Sequence, residues 1–281
     1  MNVATVARKD FEDAARAKTL WALVVIFSLF IGAAAWFFAD VQSASGAVPG
    51  DALLVSLVTP TSIFLPIIGI MVGYKAIVGE RTSGTIKLLL SLPNTRQDVL
   101  VGKFVGRSAV VTTAVVAGSL VGGVVFAVFA SSFPVVEYLL FLLLTAVLGA
   151  VFVAIAIGFS ASTKSDTIAI VGAIALVLLF TLLWNVFTFL ISVLLNRFTE
   201  LSTEAIIDVL GFTNAINPSG AYSVLINDLL SEGAQAAAAG QAMGSTSGFY
   251  TETWFAAVVL LAWLLVPLAL GYWRFQNAEL G

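Results

Sequence analysis

Residues 138–159 read YLLFLLLTAVLGAVFVAIAIGF, and none of these 22 side chains carries a charge. A helix of about 20 apolar residues crosses roughly 30 Å of hydrocarbon, so this run is long enough to span a bilayer. It lacks the apolar/polar alternation that marks a lipid-facing barrel strand. Five further runs share its character, at 20–39, 52–74, 108–130, 167–195 and 254–273, and none contains Lys, Arg, Asp or Glu. One such run can be a buried helix of a large soluble protein. Six in succession point to an all-α polytopic membrane protein, with residues 1–281 forming a single transmembrane domain.

Composition agrees: hydrophobic residues make up 60% of the chain and charged ones 10%, against about 25% charged in soluble domains. The few charges are unevenly placed. With the N-terminus in the cytoplasm, the cytoplasmic portions hold Arg8, Lys9, Arg16 and Lys18, then Lys75, Arg81, Lys87, Arg96, Lys103 and Arg107, then Lys164, then Arg274. Only Arg197 falls on the other side. Lys and Arg near span ends resist translocation, so a multi-pass protein of the cell membrane with both termini cytoplasmic is expected. The outer side holds Asp40, Asp51, Glu137, Glu200, Glu204, Asp208, Asp228, Glu232 and Glu252. That acidity suits high salt and a halophilic archaeal source, while the scattered positions define no metal site.

Several function classes lose support at once. The chain has no Cys and no His, which removes thiolate chemistry, the commonest metal ligand and the usual near-neutral base. No G-x-x-x-x-G-K-[ST] loop occurs to cradle a nucleotide phosphate. The net charge of −3 weighs against nucleic acid as a partner. The chain is therefore expected to be no enzyme and to bind neither cofactor nor metal.

Residues 1–19 form a candidate interfacial helix, with Val3, Ala7, Phe11 and Ala14 at helical spacing and charged residues over much of the rest. Such a helix would lay its thin apolar face on membrane lipid headgroups. A solvated leader is the plainer alternative.

Between the second and third runs lies KAIVGERTSGTIKLLLSLPNTRQDVLVGKFVGR, residues 75–107. Pro93 removes a donor and disfavours helix before it, so Ser91–Asn94 should break the chain direction. Thr95 then caps a new helix, with Asp98 as the reciprocal acceptor of a capping box. Gly84 allows another change of direction ahead of Leu88, Leu89 and Leu90. Leucines ringed by charges need lipid headgroups, a protein groove or the chain's own bundle to cover them.

This stretch resembles the permease subunits of ABC-2 type transporters. Their pattern here is approximately E-R-x-x-G-T, then L-S-x-P, then a basic residue and a helix leading to G-K. The chain presents Glu80, Arg81, Gly84, Thr85, Leu90, Ser91, Pro93, Arg96, Leu100, Gly102 and Lys103 in that order. It departs at Lys87, where many members carry an acid. The resemblance implies that residues 79–107 are a cytoplasmic coupling segment seated on an ABC ATPase subunit, which would hold ATP and Mg. Glu80 and Arg81 would bond across that contact, and Leu88–Leu90 would fill a groove. It further implies alternating access in a homodimer or with a closely related permease, export as the commonest direction, and in some systems an extracytoplasmic accessory protein. One branch of the family supports maturation of a copper enzyme. Two other readings stay open: a non-transporting scaffold or receptor, and an ion-coupled secondary carrier, which the lack of embedded carboxylates disfavours.

Within the runs, Gly69/Gly73 and Gly118/Gly122 form G-x-x-x-G pairs, suited to internal packing or to a subunit seam. Pro66 interrupts the hydrogen-bond ladder of the second run, and Asn185 places an amide deep in the fifth. Both are candidates for the pathway or for packing. The external segment 196–253 contains an amphipathic helix that Asn217 caps and Pro218 opens, with Tyr222, Leu225 and Leu229 on its apolar face. By its position before the last span, the resemblance implies that this helix helps close an outer gate.

Overall fold

The structure, a computed structural model, describes residues 3–16, 18–43, 50–86, 95–229 and 248–277. Its helices are α1 (Val3–Arg16), α2 (Lys18–Ser43), α3 (Gly50–Gly73), α4 (Val78–Thr82), α5 (Arg96–Phe129), α6 (Val135–Ser162), α7 (Asp166–Phe198), α8 (Thr203–Ala215), α9 (Pro218–Leu229) and α10 (Thr253–Gln276). Six helices, corresponding to α2, α3, α5, α6, α7 and α10, are long and apolar enough to cross a membrane. The chain is thus an all-α polytopic membrane protein. An even number of spans brings α1, α4 and the end of α10 to one face, here termed the basic end. Helices α8 and α9 belong to the opposite end.

Helix α6 is the hub, packed against α3, α5, α9 and α10. Its residues from Val151 to Gly158 are all buried. Lipid tails are as apolar as leucine, so helices associate here through close packing and not through expulsion of water. Glycine supplies the closeness. A Cβ at Gly69 would lie 2.6 Å from Phe152 Cβ, and one at Gly73 2.7 Å from Ala156 Cβ, which seats α3 directly on α6. On α5, Gly118 faces Phe27, and a Cβ at Gly122 would lie 2.8 Å from Ile31 Cγ2. Both G-x-x-x-G pairs therefore serve contacts inside this chain.

The peripheral span is α7. It contains a π-helical turn at Leu179–Leu183, and none of its residues from Trp184 to Phe198 is buried. Helix α3 runs through both Pro60 and Pro66. In the external segment α8 runs from Thr203 to Ala215 ahead of α9. Leu88, Leu89, Leu90, Ser91 and Pro93 lie outside the described residues.

Candidate functional site

At the basic end, α4 is fastened on three sides. The chain leaves α3 at Gly73 and turns through residues 74–77. The freed N–H groups of Ile77 and Val78 both donate to the Oγ of fully buried Ser160, 3.1 Å away on α6. One hydroxyl thus satisfies two donors at the start of α4. Arg81 Nη1 donates to Thr163 O at 3.1 Å, and Thr82 Oγ1 donates to Asp166 Oδ1 at 3.1 Å, which ties α4 to the corner between α6 and α7. Lys75 Nζ lies 3.8 Å from the same Asp166 carboxylate. Gly84 then turns the chain with φ +77°, a left-handed conformation that disfavours any side chain. Thr85 Oγ1 sits 3.5 Å from Glu80 O across that turn.

The centre of this end is a charge cluster. Lys103 Nζ lies 2.7 Å from Glu80 Oε1 and 3.2 Å from Asp10 Oδ1. Arg107 Nε lies 2.9 Å from Asp10 Oδ2. The Lys103 and Asp10 side chains are each only 6% exposed. Two acids and two bases, on α4, α1 and α5, thereby neutralise one another where a lone charge would be costly. Glu80 pairs with Lys103 and Arg81 with the Thr163 carbonyl, so both hold α4 in place.

Asp10 brings α1 into the cluster. The buried face of α1 consists of Val6, Ala7 and Asp10, with Phe11, Ala14 and Ala15 packed partly against the core. Its seat is α5: a Cβ at Gly102 would lie 2.6 Å from Val6 Cβ, and one at Gly106 2.8 Å from Ala7 O. The expected apolar stripe is largely present, but protein covers much of it. Asp10 was missed by sequence reasoning. The available signal was a carboxylate four residues from Val6 and three from Ala7, inside the apolar stripe instead of opposite it.

The return strand of this segment begins with the expected capping box. Thr95 N donates to Asp98 Oδ2 at 2.9 Å, and Asp98 N donates to Thr95 Oγ1 at 3.1 Å. Arg96 Nη1 donates to Phe275 O and, at 2.8 Å, to Gln276 O. Its guanidinium sits 5.4 Å from the centroid of the Phe275 ring. A cation on the last carbonyls of α10 satisfies orphan acceptors and opposes the negative helix end.

At the opposite end, Asn217 caps α9 as its sequence implies: Ser219 N donates to Asn217 Oδ1 at 2.8 Å, and Pro218 occupies the first helical position. The helix does not lie over the bundle. It is sunk among α3, α6 and α10, with Tyr222 fully buried, Leu225 buried and Leu229 packed partly against the core. Tyr222 Oη and Thr145 Oγ1 of α6 are 2.9 Å apart. Ser219 Oγ donates to Ser62 O at 3.2 Å. Pro66, four residues on from Ser62, has no N–H to give that carbonyl, so the α9 hydroxyl fills the vacated bond. Two indoles reach this end from the middle of their spans: Trp184 Nε1 donates to Thr213 O at 3.2 Å and Trp263 Nε1 to Ile216 O at 2.8 Å. Asn185 takes no part. Its Nδ2 donates back to Thr181 O at 3.1 Å, and its side chain is exposed on the outside of α7.

The molecule is thus a six-span helical membrane protein with a non-spanning helix docked at each end of its bundle. A family model described as ABC-2 family transporter protein matches residues 4–280, so the chain belongs to that family. "Probable ABC transporter permease protein NosY" of Pseudomonas aeruginosa is 35% identical over 114 residues, covering 41% of this chain and 42% of that protein. The protein of the same name from Stutzerimonas stutzeri is 34% identical over 113 residues, covering 40% and 41%. The chain spans about two fifths of the length of these curated relatives.

Proposed function

We propose that the chain is the membrane half of an ATP-driven exporter. It works by alternating access as a homodimer or beside a closely related permease, and the basic end faces the cytoplasm. Two separate ATPase subunits bind ATP and Mg²⁺, and residues 79–107 are where they dock. The observation that carries this reading is the fastening of α4. Ser160, Lys103, Thr163 and Asp166 hold it to α5, α6 and α7 at once. A push on the segment between α4 and α5 therefore reaches three spans together. Glu80, Arg81 and Lys103 transmit that push from within, while Leu88, Leu89 and Leu90 meet the ATPase and Pro93 aims them. At the far end, α9 is the outer closure, with Asn217, Pro218, Tyr222, Leu225 and Leu229 keeping it sunk in the bundle.

The test is substitution Leu89→Asp in the full transporter complex. A buried aspartate opposite an apolar groove is costly, so ATPase recruitment, or the stimulation of ATP hydrolysis by the permease, should fall while six spans still insert. Crosslinks from residues 88–90 that miss the ATPase, together with unchanged ATP-dependent activity, would sink the assignment.

A further inference from the structure

A groove of about 570 Å³ opens between α6, α7 and α10. Phe159 and Ser162 of α6, Trp184 of α7, and Trp263 and Leu270 of α10 form its walls, and Ile216 at the α8–α9 corner bounds it. Its polar groups are already engaged. The indole N–H groups of Trp184 and Trp263 bond to Thr213 O and Ile216 O, and Ser162 Oγ donates to Gly158 O at 2.8 Å. The walls therefore offer mostly carbon, and water within them would find few partners.

Its shape decides what can fill it. Along α10 the lining runs from Val259 to Leu270, about 16 Å at 1.5 Å per residue, a length that an extended hydrocarbon chain can follow. A single hydrocarbon chain fits. One turn beyond Leu270 on the same face of α10 stands Arg274, and two residues beyond Ser162 stands Lys164, both exposed at the basic end. Among the described residues neither makes an ion pair. The Arg274 guanidinium lies 5.7 Å from the Trp273 ring centroid, as a side chain at a membrane interface does.

We infer that this groove is a binding site for an anionic phospholipid of the leaflet at the basic end. One hydrocarbon chain lies between Trp184 and Trp263, and the phosphate meets Lys164 and Arg274. The site is distinct from the coupling segment and stands whether or not the transport reading holds.

The experiment uses the full chain in vesicles of phosphatidylglycerol and phosphatidylcholine, with either lipid carrying brominated chains. Trp21, Trp36, Trp254 and Trp273 are replaced by Phe, so that Trp184 and Trp263 alone report quenching. Native mass spectrometry counts the lipid retained after extraction. One phosphatidylglycerol per chain should survive, with quenching stronger from the brominated anionic lipid. Lys164→Gln and Arg274→Gln should each cut the preference for phosphatidylglycerol by roughly fivefold, the worth of one cation at an anionic surface. Ala262→Phe, which fills the groove with a ring, should abolish retention and most of the quenching with unchanged helicity. Retention or quenching that ignores Ala262→Phe would overturn the proposal, as would indifference to headgroup charge. So would a cysteine at position 262 that crosslinks to a second copy of the chain, since protein would then occupy the groove.

Discussion

Each end of the bundle seats a helix that does not cross the membrane, and the two are held by different forces. At the basic end α1 is held to α5 through Asp10, Lys103 and Arg107, and the same lysine grips Glu80 of α4. At the opposite end α9 is held by neutral groups, Ser219 on Ser62 O and Tyr222 beside Thr145, over a buried apolar face. A neutralised charge cluster has strong, directional and mutually dependent bonds, so removing one member strands the others. Neutral bonds at membrane depth are individually weak and separable. The basic end should thus behave as one rigid unit that passes on a push, and the opposite end as a helix that can be released stepwise.

The largest effect should come from Lys103→Met. It leaves the buried Asp10 carboxylate and the half-buried Glu80 carboxylate without their shared partner and should cost about 3–5 kcal/mol. Unfolding in mixed detergent would measure it. Adding Asp10→Asn and Glu80→Gln should return most of the loss, and a loss unchanged in the triple variant would show that the cluster does not act as a unit.

Leu225→Ala should cost less, about 2–3 kcal/mol, near the bottom of the range for buried leucines. The same substitution should expose α9 to solvent labelling while leaving α1 protected. Equal labelling of both helices would erase the contrast between the ends.

Smaller again is the proline notch. Ser219→Ala should cost about 1 kcal/mol, a typical single hydrogen bond. In a Pro66→Ala background the new N–H can reach Ser62 O, so there Ser219→Ala should cost close to nothing. A double-mutant cycle reads this directly, and equal costs in both backgrounds would mean that the hydroxyl does not serve the proline's vacated acceptor.

The smallest effect lies on the outer face of α1, where Arg8 Nε donates to Glu12 Oε1 at 2.7 Å. That bond, with the attraction between the charges, holds the Glu12 carboxyl below its usual value. Because the folded pKa is lowered, the contribution is complete above the ordinary glutamate pKa of about 4.3 and fades as pH falls through the lowered value. Arg8→Gln should raise the Glu12 midpoint toward the ordinary value in a carbon-detected NMR titration. The global stability should barely move, since an exposed pair contributes little.

How much of this was legible beforehand varies by element. The Thr95–Asp98 capping box and the Asn217–Pro218 helix start are local signals of four residues or fewer, and both form as read. Glu80 and Lys103 are notable by their pattern, yet the pattern does not say that they pair with one another. Nothing within either segment says that Lys103 reaches across to Asp10, 93 residues earlier. Asn185 is by sequence a candidate for the pathway or for packing, and its amide donates to Thr181 O within its own helix. Asn, Ser and Thr in a membrane helix can always turn back on a preceding carbonyl, and the sequence cannot tell when they do.

The sequence by itself determined that six uncharged runs form membrane-spanning helices, because a chain in hydrocarbon must satisfy its backbone internally and charge is excluded from the run. It also determined where helices start and turn, since caps, prolines and the positive φ of Gly84 are local matters. Only the tertiary structure decided that Gly69, Gly73, Gly118 and Gly122 close contacts within the chain, that Ser219 completes the ladder Pro66 interrupts, and that Asp10 is buried against Lys103. Those outcomes depend on which helix lies beside which. In a bundle where nearly every surface is apolar, hydrophobic pattern cannot choose the neighbour; close backbone approach and the pairing of a few polar groups do.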